Sequence, residues 1–293
     1  MMSGLGEAMT ANEITYKEVR ELFTKRRKRD ANKGDFGRLL IVAGSKGMAG
    51  AAILCAKGAI RAGVGLVNCF VPNEIIPIVQ GGVPEATCLK KTPSPKELAT
   101  YDAIAIGPGL GVGIAAQRAV AYVTENYGGK LILDADALNV IAGTNIELDE
   151  DTIITPHPGE AARLLGTTTE VVQARREASA AFLAEKLGCI AVLKGAGTLV
   201  SITDPVMKLF VNTTGNPGMA TGGSGDVLTG VIASLAAQGM DPLTAARAGV
   251  YIHGFAGDLV AKEIGEDGLV AGDLPEAIGR TIKYLAENER KSI

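Results

Sequence analysis

Residues 212–226 read Asn212-Thr-Thr-Gly-Asn-Pro-Gly-Met-Ala-Thr-Gly-Gly-Ser-Gly-Asp226, and an apolar helical stretch, Val227 to Gln238, follows at once. A strand-like run, Lys208 to Asn212, leads into it, so the unit is strand, glycine-rich turn, helix. At the start of a helix the first backbone N–H groups have no intrahelical acceptor and the macrodipole is positive. A turn of this kind can hold a phosphate, and here a single carboxylate, Asp226, stands beside it.

The same alternation runs back along the chain. Strands are expected at Leu39 to Ala43, Leu66 to Val71, Ala103 to Ile106, Leu131 to Asp134, Thr152 to Thr155 and Ile190 to Leu193. Helices are expected at Ala49 to Arg61, Ile114 to Asn126, Ala137 to Ala142, Gly159 to Leu165, Thr169 to Leu187, Val227 to Gln238, Pro242 to Glu263 and Leu274 to Ala286. Strands that alternate with helices imply an α/β fold: a mostly parallel central sheet with helices on both faces. Gly197 to Ser201 and Lys208 to Asn212, around a turn at Thr203-Asp-Pro205, form instead an antiparallel hairpin, which makes the sheet mixed. Many of the 38 glycines fall just after strands, the edge where open α/β sheets bind ligands.

The N-terminal residues 1–30 divide into a loose leader, Met1 to about Asn12, and a short helix within Ile14 to Phe23. The basic run Lys25 to Arg29 follows, either a solvated helix face or a contact for a phosphate or a partner. Residues 31–290 are expected to make one domain. With 47% apolar residues and a net charge of −3, the chain has ample core and no basic surface for nucleic acid. Cys55, Cys69, Cys88 and Cys189 form no C-x-x-C pair and lie in apolar stretches, as expected of core thiols in a reducing cytosol. No stretch is apolar enough for a membrane span and no signal peptide is evident, so a soluble cytoplasmic protein is expected.

Four further segments carry chemistry. Gly107-Pro-Gly-Leu-Gly-Val-Gly113 lies between a strand and a helix and contains a relaxed dinucleotide fingerprint. Its internal position and its proline fit close backbone approach to a ligand, or a plain tight turn, better than a nicotinamide dehydrogenase. Thr155-Pro-His-Pro-Gly-Glu160 fixes His157 between two prolines at the ligand edge, as a binding residue or a structural one, while His253 is expected to pack within its helix. Lys194-Gly-Ala-Gly-Thr198 could run along a nucleotide's phosphate or ribose, or simply turn the chain. Asn139, near Asp134 and Asp136, could orient magnesium or substrate. No segment has the G-x-x-x-x-G-K-[ST] spacing of a Walker loop, and zinc-protease, thiol-redox and serine-hydrolase motifs are missing from the sequence. At a helix start Asp226 is expected to have a low pKa, a weak base that can still accept a hydroxyl proton released late in phosphoryl transfer.

Together these segments resemble the ADP-dependent (or ATP-dependent) (S)-NAD(P)H-hydrate dehydratases of the ribokinase-like superfamily. The matching residues are Lys33-Gly34 with Gly37, Ala43-Gly-Ser45 with Gly50-Ala51-Ala52, Gly107-Pro-Gly-Leu-Gly111, Asp134-Ala-Asp-Ala-Leu-Asn139, Thr155 to Glu160, Lys194 to Thr198 and Asn216 to Asp226. They run in order over most of the chain. Asn32 stands before Lys33-Gly34 where many relatives have histidine.

The resemblance implies a ribokinase-like three-layer α/β/α fold and a lyase of cofactor repair. ADP phosphorylates the ring hydroxyl of S-hydrated NADH or NADPH, phosphate is eliminated, and NAD(P)H, AMP and phosphate result. It implies that Asp226 is the catalytic base, with Gly222, Gly223, Ser224 and Gly225 as an anion hole. It places Ala51, Gly109, His157 and Asp226 on the hydrated dinucleotide, and Lys194, Gly195, Ala196, Gly197, Thr198 and Gly225 on the nucleotide. Magnesium bridges the phosphates in this scheme, with Asn139 and Glu160 as its weakly supported protein ligands. A homotetramer is implied, and a separate epimerase protein, since fewer than 40 residues precede the first strand expected here. The rival readings are a small-molecule kinase of the same fold, which leaves a stable phosphorylated alcohol, and a nucleotide sensor without chemistry.

Overall fold

The computed structural model describes residues 10–24, 28–203 and 205–287. Its strands are β1 (Asn12–Glu13), β2 (Arg38–Val42), β3 (Leu66–Phe70), β4 (Thr87–Cys88), β5 (Ala103–Ile106), β6 (Lys130–Leu133), β7 (Thr152–Ile154), β8 (Ile190–Leu193), β9 (Thr198–Thr203) and β10 (Met207–Asn212). Its helices are α1 (Tyr16–Leu22), α2 (Ala49–Arg61), α3 (Ile76–Gly82), α4 (Pro95–Leu98), α5 (Ile114–Asn126), α6 (Asp136–Ile141), α7 (Pro158–Leu165), α8 (Thr169–Ala174), α9 (Arg176–Leu187), α10 (Ser224–Ala237), α11 (Pro242–Ile264) and α12 (Leu274–Glu287). All ten strands join one sheet in the order β1-β10-β9-β8-β7-β6-β5-β2-β3-β4. Pairing is parallel except at β8/β9 and β9/β10, the expected hairpin.

The strand sequences explain the layers. In β2, Leu39 and Ile41 enter one apolar cluster with α2, α10, α11 and α12, and Leu40 and Val42 enter a second with α5, α6, α7 and α9. A strand buried on both faces needs a continuous apolar run, and Leu-Leu-Ile-Val supplies it. Helix α10 is buried on nearly every side, as an all-apolar helix must be. It crosses α2 at backbone distance: a Cβ on Gly230 would lie 2.0 Å from the carbonyl oxygen of Cys55, and one on Gly58 2.6 Å from that of Val227. Cys55, Cys69 and Cys189 are buried and unpaired, as read from the sequence, while Cys88, also unpaired, is only partly buried.

Four expectations need correction. The leader is not loose to its end, because Asn12 and Glu13 pair in parallel with Phe210 and Val211 at the sheet edge. The helix expected from Ile14 begins at Tyr16, where Thr15 and Glu18 form a reciprocal cap, while the Ile14 N–H donates to the Val211 carbonyl. The single helix expected over Thr169 to Leu187 breaks at Arg175 into α8 and α9, which turns the Arg176 guanidinium onto the carbonyls of Leu193, Lys194 and Gly197. Helix α10 starts three residues early, so the Ser224-Gly-Asp226 end of the turn is already helical. Part of the basic run, Lys25 to Arg27, and Asp204 of the hairpin turn lie outside the described residues.

The departure at Asn32 has a local role: its side chain accepts the Gly34 N–H and its backbone N–H donates to Asp35, capping a 3-10 turn over 33–36. Among the described residues no helix is long and apolar enough to cross a membrane.

Candidate active site

Five loops after the parallel strands meet at the carboxyl edge of the sheet, and the first turn of α10 points into the same edge. Contacts between loops define the geometry. Gly109, at φ +61°, packs so closely that a Cβ there would lie 2.8 Å from the Ala51 methyl, so the loop after β5 rests on the start of α2. Ser45 donates its hydroxyl to the Gly109 carbonyl at 2.9 Å. A Cβ on Gly107 would sit 1.8 Å from the Asp134 carbonyl, which locks that loop against the end of β6. There Ala135 holds φ +48°, the one non-glycine residue with positive φ among those described. Strain of that kind persists only where neighbours over-determine the backbone. Here Asp136 accepts the Gly111 N–H at 2.7 Å on one side and Asp134 is held on the other.

Asp134 is the buried centre. Only 1 % exposed, its carboxylate accepts from Thr229 of α10 and from Lys194 Nζ, each at 2.7 Å. Lys194, 17 % exposed at its side chain, also lies 3.8 Å from Glu160 Oε2. Its ammonium reaches the first turn of α10, 3.3 Å from where a Gly225 Cβ would stand. Desolvation opposes the charge on Lys194, but Asp134 and Glu160 outweigh it and hold the pKa above the ordinary value.

No side chain caps α10, and Gly223, its N-cap, is left-handed at φ +94°. The Ser224 N–H turns to the Thr221 carbonyl and that of Val227 to Gly223. The amides of Gly225 and Asp226, inside the first turn, are the ones the helix itself leaves without an intrahelical acceptor. His253 of α11 secures the turn. It is 8 % exposed, and its Nε2 lies 2.9 Å from the Ser224 carbonyl, so Nε2–H is the donor in the assigned tautomer. Burial drops its pKa to about 4, which keeps the ring neutral.

The low pKa expected for Asp226 is overturned. Burial, followed by the Asp134 carboxylate, pushes it up to about 7, with Asp136 and Glu160 adding to the rise and Lys194 opposing it. Withdrawal from water and neighbouring anions outweigh the helix end.

His157 is both cap and candidate ligand. Its Nδ1 accepts the N–H groups of Gly159 and Glu160 at the start of α7, leaving Nε2–H to face Glu160 Oε1 at 3.3 Å. Its side chain is half exposed, and burial, with Lys194 next, lowers its pKa. The loop from Lys194 to Thr198 has its carbonyls drawn inward by Arg176, a residue with no sequence motif. On the other side Asp258 of α11 accepts from Gly215 N–H and the Asn216 amide, anchoring the glycine-rich turn.

Asn139 and Glu160 do not converge as metal ligands. Asn139 Oδ1 accepts from Arg163, and the Glu160 oxygens face the His157 amide, its ring and Lys194. Among the described residues no cluster of three or more His, Cys, Asp or Glu could hold a metal ion. The site thus brings together Asp226, the Gly222 to Gly225 turn, Lys194, His157, Gly109 and Ala51, and adds Asp134, Thr229 and His253.

Comparison with known proteins gives a consistent family. Residues 39–280 match the family described as NAD(P)H-hydrate dehydratase. The ADP-dependent (S)-NAD(P)H-hydrate dehydratase of Neisseria meningitidis is 42% identical over 262 residues, covering 86% of this chain and 87% of that protein. The bifunctional NAD(P)H-hydrate repair enzyme of Moorella thermoacetica is 40% identical over 278 residues, 89% of this chain and 52% of that one. The chain thus spans about half the length of the bifunctional relatives it matches. Among solved structures, the ADP/ATP-dependent NAD(P)H-hydrate dehydratase from Bacillus subtilis, co-crystallised with ATP and Mg2+, superposes with a TM-score of 0.84 at 34% identity, covering 95% of this chain and all of that one.

Proposed function

The chain belongs to the NAD(P)H-hydrate dehydratase family, and from that membership we propose that it dehydrates the S epimer of hydrated NADH or NADPH with ADP as phosphoryl donor. The observation that carries the reading is the first turn of α10: uncapped amides, the Lys194 ammonium beside them, and a carboxyl group whose pKa is pushed up to about 7. Such a pKa suits a general base at neutral pH, where a fair share is ionised and its affinity for a proton is still useful.

In this scheme Asp226 takes the proton of the ring hydroxyl as that oxygen attacks the terminal phosphorus of ADP. The Gly225 and Asp226 amides, framed by Gly222 and Gly223, receive the transferred phosphoryl oxygens, and Lys194 balances the negative charge gathered beside them. AMP leaves along Lys194 to Thr198. The ring nitrogen's electron pair then expels phosphate from the adjacent ring carbon, and loss of a proton from the next ring carbon forms the ring double bond and restores the reduced nicotinamide. Ala51, Gly109 and the exposed edge of His157 border the ring.

Among the described residues no group of carboxylates, histidines or cysteines forms a cage for magnesium. That suits an ion which keeps several waters and is carried by nucleotide phosphates. The role of the metal is charge neutralisation on those phosphates, and none of the steps above runs through it. The Bacillus subtilis relative is described as ADP/ATP-dependent, which supports ATP as an alternative donor. We assign epimerisation of the R form to another protein or domain, and a homotetramer as the assembly.

The test is repair itself. The protein incubated with ADP, magnesium and hydrated NADH is expected to restore the nicotinamide absorbance with stoichiometric AMP. No ADP-dependent return of absorbance, or a phosphorylated product that persists, rejects the reading.

A further inference from the structure

The sheet contains a crevice that the reaction above does not use. From β2 the chain turns to α2 on one face of the sheet, and from β5, the neighbouring strand, it turns to α5 on the other. The strand order therefore reverses between β2 and β5, and in open α/β sheets a ligand crevice lies outside the carboxyl ends of such a pair. A cavity of about 940 Å³ runs from that edge along the α5 face of β2 and β3, where Leu40, Val42 and Phe70 line it, and it reaches the loops after β2 and β5 at Gly44, Ser45 and Leu110. Ser45 is the residue that holds Gly109, so the cavity shares a wall with the loop that borders the proposed nicotinamide position.

Its chemistry is two-sided. Phe70, Leu110 and Tyr122 give it an apolar wall, and Lys90, Lys91 and Arg118 stand at its exposed rim. Among the described residues none of the lining side chains is acidic. Tyr122 donates its hydroxyl to the Pro93 carbonyl at 2.9 Å, which ties the lysine segment to α5 and holds the two cationic sides together. An apolar slot beside three cations fits a flat, apolar-faced group that carries phosphates.

We propose that this crevice binds the adenosine half of the hydrated dinucleotide, with its phosphates against Lys90, Lys91 and Arg118 and its base along Phe70, Leu110 and Tyr122. The proposal rests on the dehydratase reading for the identity of the substrate. It places ADP and the dinucleotide's own adenosine in two separate sites, one at Lys194 to Thr198 and one between β2 and β5. A 2′-phosphate adds charge at the cationic rim, so hydrated NADPH binds more tightly than hydrated NADH.

The experiment compares wild type with the charge-reversed variant Lys90→Glu/Lys91→Glu/Arg118→Glu by titration calorimetry. AMP is kept saturating to fill the nucleotide site, and the probes are NADPH and reduced nicotinamide mononucleotide, which lacks the adenosine half. The expected result is at least a tenfold loss of NADPH affinity with the mononucleotide unchanged, and rescue by Lys90→Arg/Lys91→Arg. Where the triple variant does not fold, Lys91→Ser and Arg118→Ser are read singly for a threefold loss each. Unchanged NADPH affinity, equal loss for both probes, or no NADPH binding by wild type overturns the proposal. A change in oligomer mass with NADPH affinity kept overturns it in favour of an interface between copies. A wild type that binds NADPH through these residues but shows no ADP-dependent repair leaves the crevice standing and removes the dehydratase reading alone.

Discussion

Asp226 stands at a helix start, which favours its anion, and inside a buried cluster of carboxylates, which does not. The cluster prevails, and the pKa of about 7 has two measurable consequences. The first is kinetic: kcat/KM is expected to rise with pH through about 7 as the base ionises, and Asp226→Asn is expected to fold but lose about 10²–10⁴-fold in turnover. Near-normal turnover of that variant removes Asp226 from the chemistry. The second is stability. A carboxyl whose folded pKa is raised from 3.8 binds its proton more tightly when folded, so its contribution is full below pH 3.8 and is lost by pH 7. The whole swing has an upper bound of about 4 kcal/mol. Asp226→Asn, neutral throughout, is therefore expected to gain stability over wild type between pH 4 and 7 and to keep the gain above it, read from denaturant midpoints at pH 4 and 8. Asp134→Asn removes the neighbouring anion and frees Lys194 toward Asp226. The acid limb of the pH profile is expected to move to lower pH, and an unmoved limb shows that Asp134 serves only to join β6 to α10.

Helix α10 holds this cluster in place through its crossing with α2. Gly230→Ala puts a methyl against the Cys55 carbonyl, and the helices must part. The expected cost is about 1–3 kcal/mol in unfolding free energy, with a fall in activity as the α10 amides move from Ala51. Unchanged stability and turnover would show that the crossing tolerates a wider gap. Elements with a clear period and a chemical cap, such as α7 and α11, were legible within a few residues of their ends. So were the hairpin and the sheet's mixed character. Local sequence could not indicate β1, two residues held only by pairing with β10, nor the break at Arg175, which is tied to distant carbonyls of the Lys194 loop. The site divides in the same way. Gly109, Ala51, His157 and Asp226 sit in motifs, but Thr229 and His253 act through residues far away in sequence, and the environment of Asp226 exists only once the sheet is formed.

At the scale of the molecule, the two apolar layers lie against one sheet, and strands such as β2 supply side chains to both. The site is assembled from both layers: Asp226 and Ala51 come from helices on one face, Asp134 and Lys194 from strand ends, and His157 from the loop that enters α7 on the other. Neither layer can open without dismantling the edge where ADP is proposed to bind. A single cooperative unfolding transition is therefore expected of residues 31–290. Nucleotide that binds the folded edge alone must raise that transition as a whole, by about 2.7 kcal/mol at a hundredfold excess over its dissociation constant. Scanning calorimetry with and without ADP reads both points. One peak that moves up by several degrees supports one domain built around the site, and two peaks of which ADP moves only one would divide the chain and place the nucleotide in a single part of it.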